Sequence, residues 1–241
     1  RLLEAESLLS DSLLLLKGTT EIGIIIHALT KLISVRLALG RDASQIKPLI
    51  TDLNLMERYY SRIKSLADAL KIELSILMKN DPPDYYLSDK LQTCLKSDWK
   101  NRPQELSYYQ NYDWQLNYTT TMIRLFISQR IRNKGELDDE VSGHLVSWLD
   151  VNFHNSMKYQ VFKWAAELLV LKSTVEWLMG KEADALTRLE KALALCDSND
   201  AIRVFVQYQE FLWQMLKQIH SSNRFQAFIS KVESEFQEFG S

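Results

Sequence analysis

The sequence predicts an all-α protein, an α-solenoid of stacked antiparallel helix pairs. Three observations carry this. Apolar residues recur at steps of three and four along nearly the whole chain. Gly and Pro are scarce, seven and four in 241 residues. Average usage is about 12% for the two together, so the chain lacks the punctuation a sheet of this size needs. Finally, long apolar helices closed by glycine are each followed by a short turn and a second amphipathic helix. One helix pair cannot bury both of its faces, so pairs stack into an array with a continuous core.

Residues 1–18 complete a helix from a truncated preceding pair. Ile22, Ile25, Ile26, Leu29, Leu32, Ile33 and Leu37 then share one helical face, with Arg36 the only polar intruder, and Gly40 ends the helix because a left-handed C′ position costs it little. A second helix carries Ile46, Leu49, Ile50, Leu53 and Met56, and Pro48 is tolerable there only in the first turn. A third runs from about Tyr59 through Leu66, Leu70 and Leu74 to Asn80, where Asp81-Pro82-Pro83 stops it. The arrangement then repeats. Residues 122–131 are apolar-periodic and end at Asn133-Lys134-Gly135, followed by four acidic residues and the helix of Val141, Leu145, Trp148 and Leu149. Residues 162–179 form the next copy, closed by Gly180, with Ala185, Leu186, Leu189, Ala192 and Leu193 after it. The predicted pairs are about 21–58, 60–97, 113–154, 157–197 and 200–238, in one helical-repeat domain over residues 1–241. Residues 98–112 are the only long connection, and irregular loops of that length are more often functional than structural.

Charge excludes some functions. The chain carries 29 Lys+Arg against 31 Asp+Glu, without the basic surplus that a phosphate-binding surface needs. Cys94 and Cys196 stand far apart and in no C-x-x-C arrangement, so they read as ordinary buried thiols in a reducing compartment. No apolar run has the length of a spanning helix, since even residues 22–33 are broken by His27, Thr30 and Lys31. An opening at Arg1 without a signal-peptide pattern leads to the expectation of a fragment from a larger cytoplasmic protein.

Residues 164–205 carry a resemblance. They read Ala165-Ala166-Glu167-Leu168-Leu169-Val170-Leu171, then Gly180, then Ala185-Leu186-Thr187-Arg188-Leu189-Glu190-Lys191-Ala192-Leu193, and close with Arg203-Val204-Phe205. This resembles the last repeats of the tetratricopeptide-like sensor domain in the MalT-like, LuxR-type ATP-dependent transcriptional activators. The Ala-Leu helix is common to all tetratricopeptide arrays, and its union with Arg203-Val204-Phe205 is the more specific part. Trp99 sits in what looks like a break between repeats of the same family. The resemblance implies a sensor that binds a small-molecule inducer and lies between a nucleotide-binding domain and a helix-turn-helix DNA-binding domain of the same chain. It also implies that Arg203, Val204 and Phe205 relay the signal. This sequence has no Gly-x-x-x-x-Gly-Lys-[Ser/Thr] loop and no recognisable DNA-reading helix, so ATP is expected only in the absent N-terminal domain.

No catalytic constellation is present. His27, His144, His154 and His220 are scattered without metal-ligand spacing. Glu136, Asp138, Asp139 and Glu140 lack the alternation of a calcium loop and sit where a helix N-terminus favours negative charge. Arg36, Arg124 and Arg130 intrude on apolar patterns and suit a carboxylate ligand, although paired or snorkelling surface arginines are the plainer reading. Aromatic density is the feature that exceeds core needs: Tyr85, Tyr86, Trp99, Tyr108, Tyr109, Tyr112, Trp114 and Tyr118 fall within residues 85–118. Their flat faces and polar edges suit a sugar ring or an aromatic effector, with Gln115 and its polar neighbours to orient it. The alternative is that they pack the connection onto the array. On a helix starting near Tyr112, residues Tyr112, Gln115, Thr119 and Met122 share one face, and Trp114, Tyr118 and Thr121 another.

The resulting expectation is a non-enzymatic sensor module with no cofactor or metal of its own, no nucleic-acid contact and no membrane segment. Its rival is a protein-interaction scaffold of the same architecture, because fold does not fix function.

Overall fold

The computed structural model describes residues 2–56, 67, 68, 70–72, 74, 91, 95, 107–132, 137–197, 201–206, 208–220 and 225–239. The regular elements among them are all α-helices, and none is long and apolar enough to cross a membrane. The chain divides into two compact units, residues 1–126 and 127–241.

In the first unit, α1 (Leu2–Leu16) packs on α2 (Ile22–Ala38), which packs on α3 (Ala43–Leu55). Ile26, Leu29 and Ile33 of α2 close a core with Ile46, Ile50 and Leu53 of α3 and with Ala67, Leu70 and Leu74. The end of α2 follows from its glycine. Gly40 has φ 61, its N–H bonds Leu37 O at 3.1 Å, and the Arg41 N–H bonds Arg36 O at 2.9 Å. This is a Schellman closure with glycine in the left-handed position. Asp42 then caps α3, its carboxylate accepting from the Ser44 N–H at 2.8 Å. That cap starts the helix at Ala43, so Pro48 is not in the first turn as the sequence reading required. It lies in the second turn and removes an intrahelical donor, a loss offset by the burial of Ile46, Ile50 and Leu53 around it. α1 buries none of its residues, and Leu3, Leu8, Leu14 and Leu15 are exposed.

α4 (Ser107–Arg132) begins earlier than the sequence reading places it. Residues 107–112, assigned there to an irregular connection, are helical, while 98–106 lie outside the described residues. In the second unit α5 (Asp139–Lys158), α6 (Phe162–Leu178) and α7 (Glu182–Asp197) pack in succession. Asp138 caps α5 by accepting from the N–H groups of Glu140 and Val141, and Asp139 and Glu140 occupy its first turn, so these three acidic residues serve the helix terminus, while Glu136 lies outside the described residues. α6 is buried almost all round, from Trp164 to Glu176. It ends as α2 does: Gly180 has φ 74, its N–H bonds Trp177 O, and the Lys181 N–H bonds Glu176 O at 2.9 Å. Ala185, Leu189, Ala192, Leu193 and Cys196 form the buried face of α7, the apolar face read from the sequence. Burial pushes the Cys196 thiol up to about 12, the behaviour of an inert core thiol. Cys94 lies outside the described residues. The unit is completed by α8 (Arg203–Val206), α9 (Gln209–His220) and α10 (Gln226–Phe239).

Candidate functional site

The aromatic stretch lies on α4. Tyr108, Tyr109, Tyr112, Trp114 and Gln115 belong to the backbone of its first half, and their side chains lie outside the described part of the structure. Trp99, Tyr85 and Tyr86 lie outside the described residues altogether. Tyr118 is half-buried. In the turn that follows it, Thr119 and Met122 of the one predicted face and Thr121 of the other are all buried. From there to Gln129 the helix has no open face, Arg124 alone being half-buried.

The three arginines are placed differently from one another. Arg36 is paired, with Nε donating to Glu6 Oε1 at 3.0 Å and a terminal nitrogen to Gln45 O at 2.8 Å. It therefore ties α1, α2 and α3 together, and the carboxylate it meets is the protein's own. Arg124 and Arg130 are half-buried and engaged. His27, His144 and His154 are exposed, and His220 Nδ1 stands 3.8 Å from Glu233 Oε2. Among the described residues no three His, Cys, Asp or Glu side chains gather as a metal site would need.

What the sequence reading missed is a set of buried charges on α6. Glu167, Lys172 and Glu176 are 6%, 5% and 6% exposed. Glu176 lies nine positions after Glu167, about two and a half helical turns, so they face opposite sides. On one side Lys172 Nζ donates to Asp150 Oδ1 of α5 at 2.6 Å and stands 3.7 Å from Glu176 Oε1, which Arg188 Nε of α7 approaches at 3.6 Å. These charges join three successive helices, and Glu176 Oε2 is buried without a hydrogen-bond partner. On the other side Glu167 Oε1 accepts the phenol of Tyr208 at 2.6 Å. The only sequence signal for this set was that charged residues interrupt a helix otherwise apolar all round, a pattern that implies internal pairing.

The three residues assigned to a relay share the α8 helix that precedes Tyr208. Val204 and Phe205 are buried, and Phe205 meets Phe228 of α10 edge-on at 5.7 Å. The Arg203 side chain lies outside the described part. α8 packs on both α6 and α10. The arrangement supplies joints between helices: a charge chain through α5, α6 and α7, and a phenol–carboxylate bond with an aromatic contact at the start of the last helices. No family model matches the chain, and neither a curated protein nor a solved structure matches it.

Proposed function

We propose that this chain is a non-enzymatic regulatory module, the effector-sensing α-solenoid of a bacterial transcriptional activator of the MalT-like, LuxR type. In this reading the helix pairs stack as a tetratricopeptide-like superhelix, and a small-molecule inducer binds against the aromatic first half of α4. The change passes to the nucleotide-binding and helix-turn-helix domains of the same cytoplasmic protein, where ATP and DNA are bound. The inducer shifts the arrangement of the helices only by the difference in its affinity for the two states.

The observation that carries this reading is the position of Arg203-Val204-Phe205. α8, which carries the tract that the resemblance assigns to signal relay, packs on both α6 and the last helix α10, with Val204 and Phe205 buried. The repeated glycine closures at Gly40 and Gly180 support the helix-pair architecture.

A thermal-shift screen of the purified chain against sugars, oligosaccharides, aromatic acids and alcohols tests the proposal, because a ligand that binds only the folded state raises the melting temperature with concentration. The expected result is a reproducible, saturable rise with one chemical class. A silent screen favours a second reading, a protein-interaction scaffold, for which the exposed leucines of α1 speak.

A further inference from the structure

The described side chains where α8 meets its neighbours include a buried apolar set and a buried hydrogen bond. Val204, Phe205, Phe228, Ile229 and Val232 are all buried. Beside them the Tyr208 phenol, in a residue 1% exposed, donates to the Glu167 carboxylate, in a residue 6% exposed, across 41 positions of sequence. Apolar contact is non-directional and tolerates repacking. A buried hydrogen bond to a carboxylate is directional, is satisfied in one register, and when broken leaves the carboxylate without that donor in a low-dielectric surrounding. At the head of α10, Phe225 has φ 61, a left-handed conformation that costs an aromatic residue energy. The orientation of α10 is therefore held by its docking rather than by a relaxed backbone.

We infer that the Glu167–Tyr208 bond is a latch: closed, it holds α8 and, through Phe205, α10 in one register on α6; open, it frees α10 while the hairpin of α6 and α7 stays folded. The bond sets which of two packings the apolar surfaces adopt, and the strain at Phe225 favours release once it is lost. As the switch of the relay it rests on the regulatory reading above. As a latch on the last helix it rests on geometry, and it is read without an effector, so the two fail separately.

The experiment is hydrogen exchange followed by mass spectrometry on the whole chain, comparing wild type with Tyr208→Phe and Glu167→Gln. With Tyr208→Phe, protection of residues 226–239 is expected to fall roughly tenfold or more, and that of residues 182–197 by less than about twofold. Glu167→Gln keeps an acceptor for the phenol and gives a smaller loss confined to the same segment. Equal loss in both segments, or unchanged protection of 226–239 in both variants, overturns the latch. A Tyr208→Phe chain that does not fold overturns it as well, because a latch is dispensable to the fold it closes.

Discussion

Arg36 and Glu6 meet at 3.0 Å between α2 and α1. Arg41 joins them, donating to the other carboxylate oxygen at 2.8 Å, so Glu6 holds one guanidinium group from the last turn of α2 and one from the turn that follows it. α1 buries no residue fully; it packs on α2 with Leu13 partly buried against the core, and this ion pair ties it further. The Arg41 hydrogen bond first, against the opposing push of burial, and then the Arg36 bond hold the Glu6 carboxyl below its ordinary value of 4.5. A depressed carboxylate contributes stability that is fully present above the unfolded value and is lost as pH falls through the folded one. Protection of residues 2–16 against hydrogen exchange, corrected for intrinsic rate, is therefore expected to decline as pH drops below 4.5. In Glu6→Gln it should start lower and stay flat over that range. Arg36→Ala loses the Gln45 bond as well and should cost about 1–2 kcal/mol.

α5 ends in the same hydrogen-bond pattern as α2 and α6, but with Gln160 in the left-handed position at φ 58; its N–H bonds Met157 O at 3.1 Å and the Val161 N–H bonds Ser156 O at 2.8 Å. A non-glycine residue there costs about 1–2 kcal/mol, partly offset by the entropy glycine loses on folding. Gln160→Gly should raise stability by up to about 1 kcal/mol, a shift of about 2–4 °C in melting temperature. Gly180→Ala is the converse. A Cβ there meets nothing within 4 Å, so its loss of about 1 kcal/mol measures backbone strain alone.

These three helix ends show what the sequence makes legible. Gly40 and Gly180 mark their termini because only glycine enters the left-handed region freely, whereas Gln160 adopts the same conformation under the pull of its neighbours and carries no mark of its own. The face of Ala185, Leu189, Ala192 and Leu193 is readable because periodicity reports burial directly. Periodicity assigns no solvent face to α6, which is apolar nearly all round, and the partners that make the burial of Glu167, Lys172 and Glu176 tolerable, Tyr208, Asp150 and Arg188, lie elsewhere in the chain. The start of α4 at Ser107 is not legible in the sequence because Tyr, Asn and Asp are weak helix formers.

Lys172 is the centre of the charge chain, 2.6 Å from Asp150 and 3.7 Å from Glu176. Removing it leaves Glu176 with Arg188 alone, and a buried carboxylate deprived of its partner is expensive. Lys172→Met is expected to cost about 3 kcal/mol in denaturant unfolding, whereas the double change with Glu176→Leu should recover most of that loss. A double mutant no better than the single one would mean that Asp150, not Glu176, carries the role of Lys172.

The Cys196 thiol, pushed to about 12 by burial, is fully protonated at neutral pH, and the thiolate is the reactive form. In a Cys94→Ser background it should resist a thiol reagent at pH 8 in the native state and react at once in denaturant. Because its value is raised in the folded state, its contribution to stability is present below the ordinary 9.0 and lost as pH climbs toward 12.

Tyr112 and Trp114 separate a binding surface from a packing one. If the first half of α4 lines the effector site, Tyr112→Ala and Trp114→Ala abolish the ligand-induced rise in melting temperature while leaving the ligand-free melting temperature nearly unchanged. If instead these rings pack the core as the buried residues from Thr119 onward do, each truncation costs about 3–5 kcal/mol whether or not ligand is added. The two outcomes differ in the ligand-free protein alone. The measurement therefore assigns the aromatic stretch before any inducer has been identified.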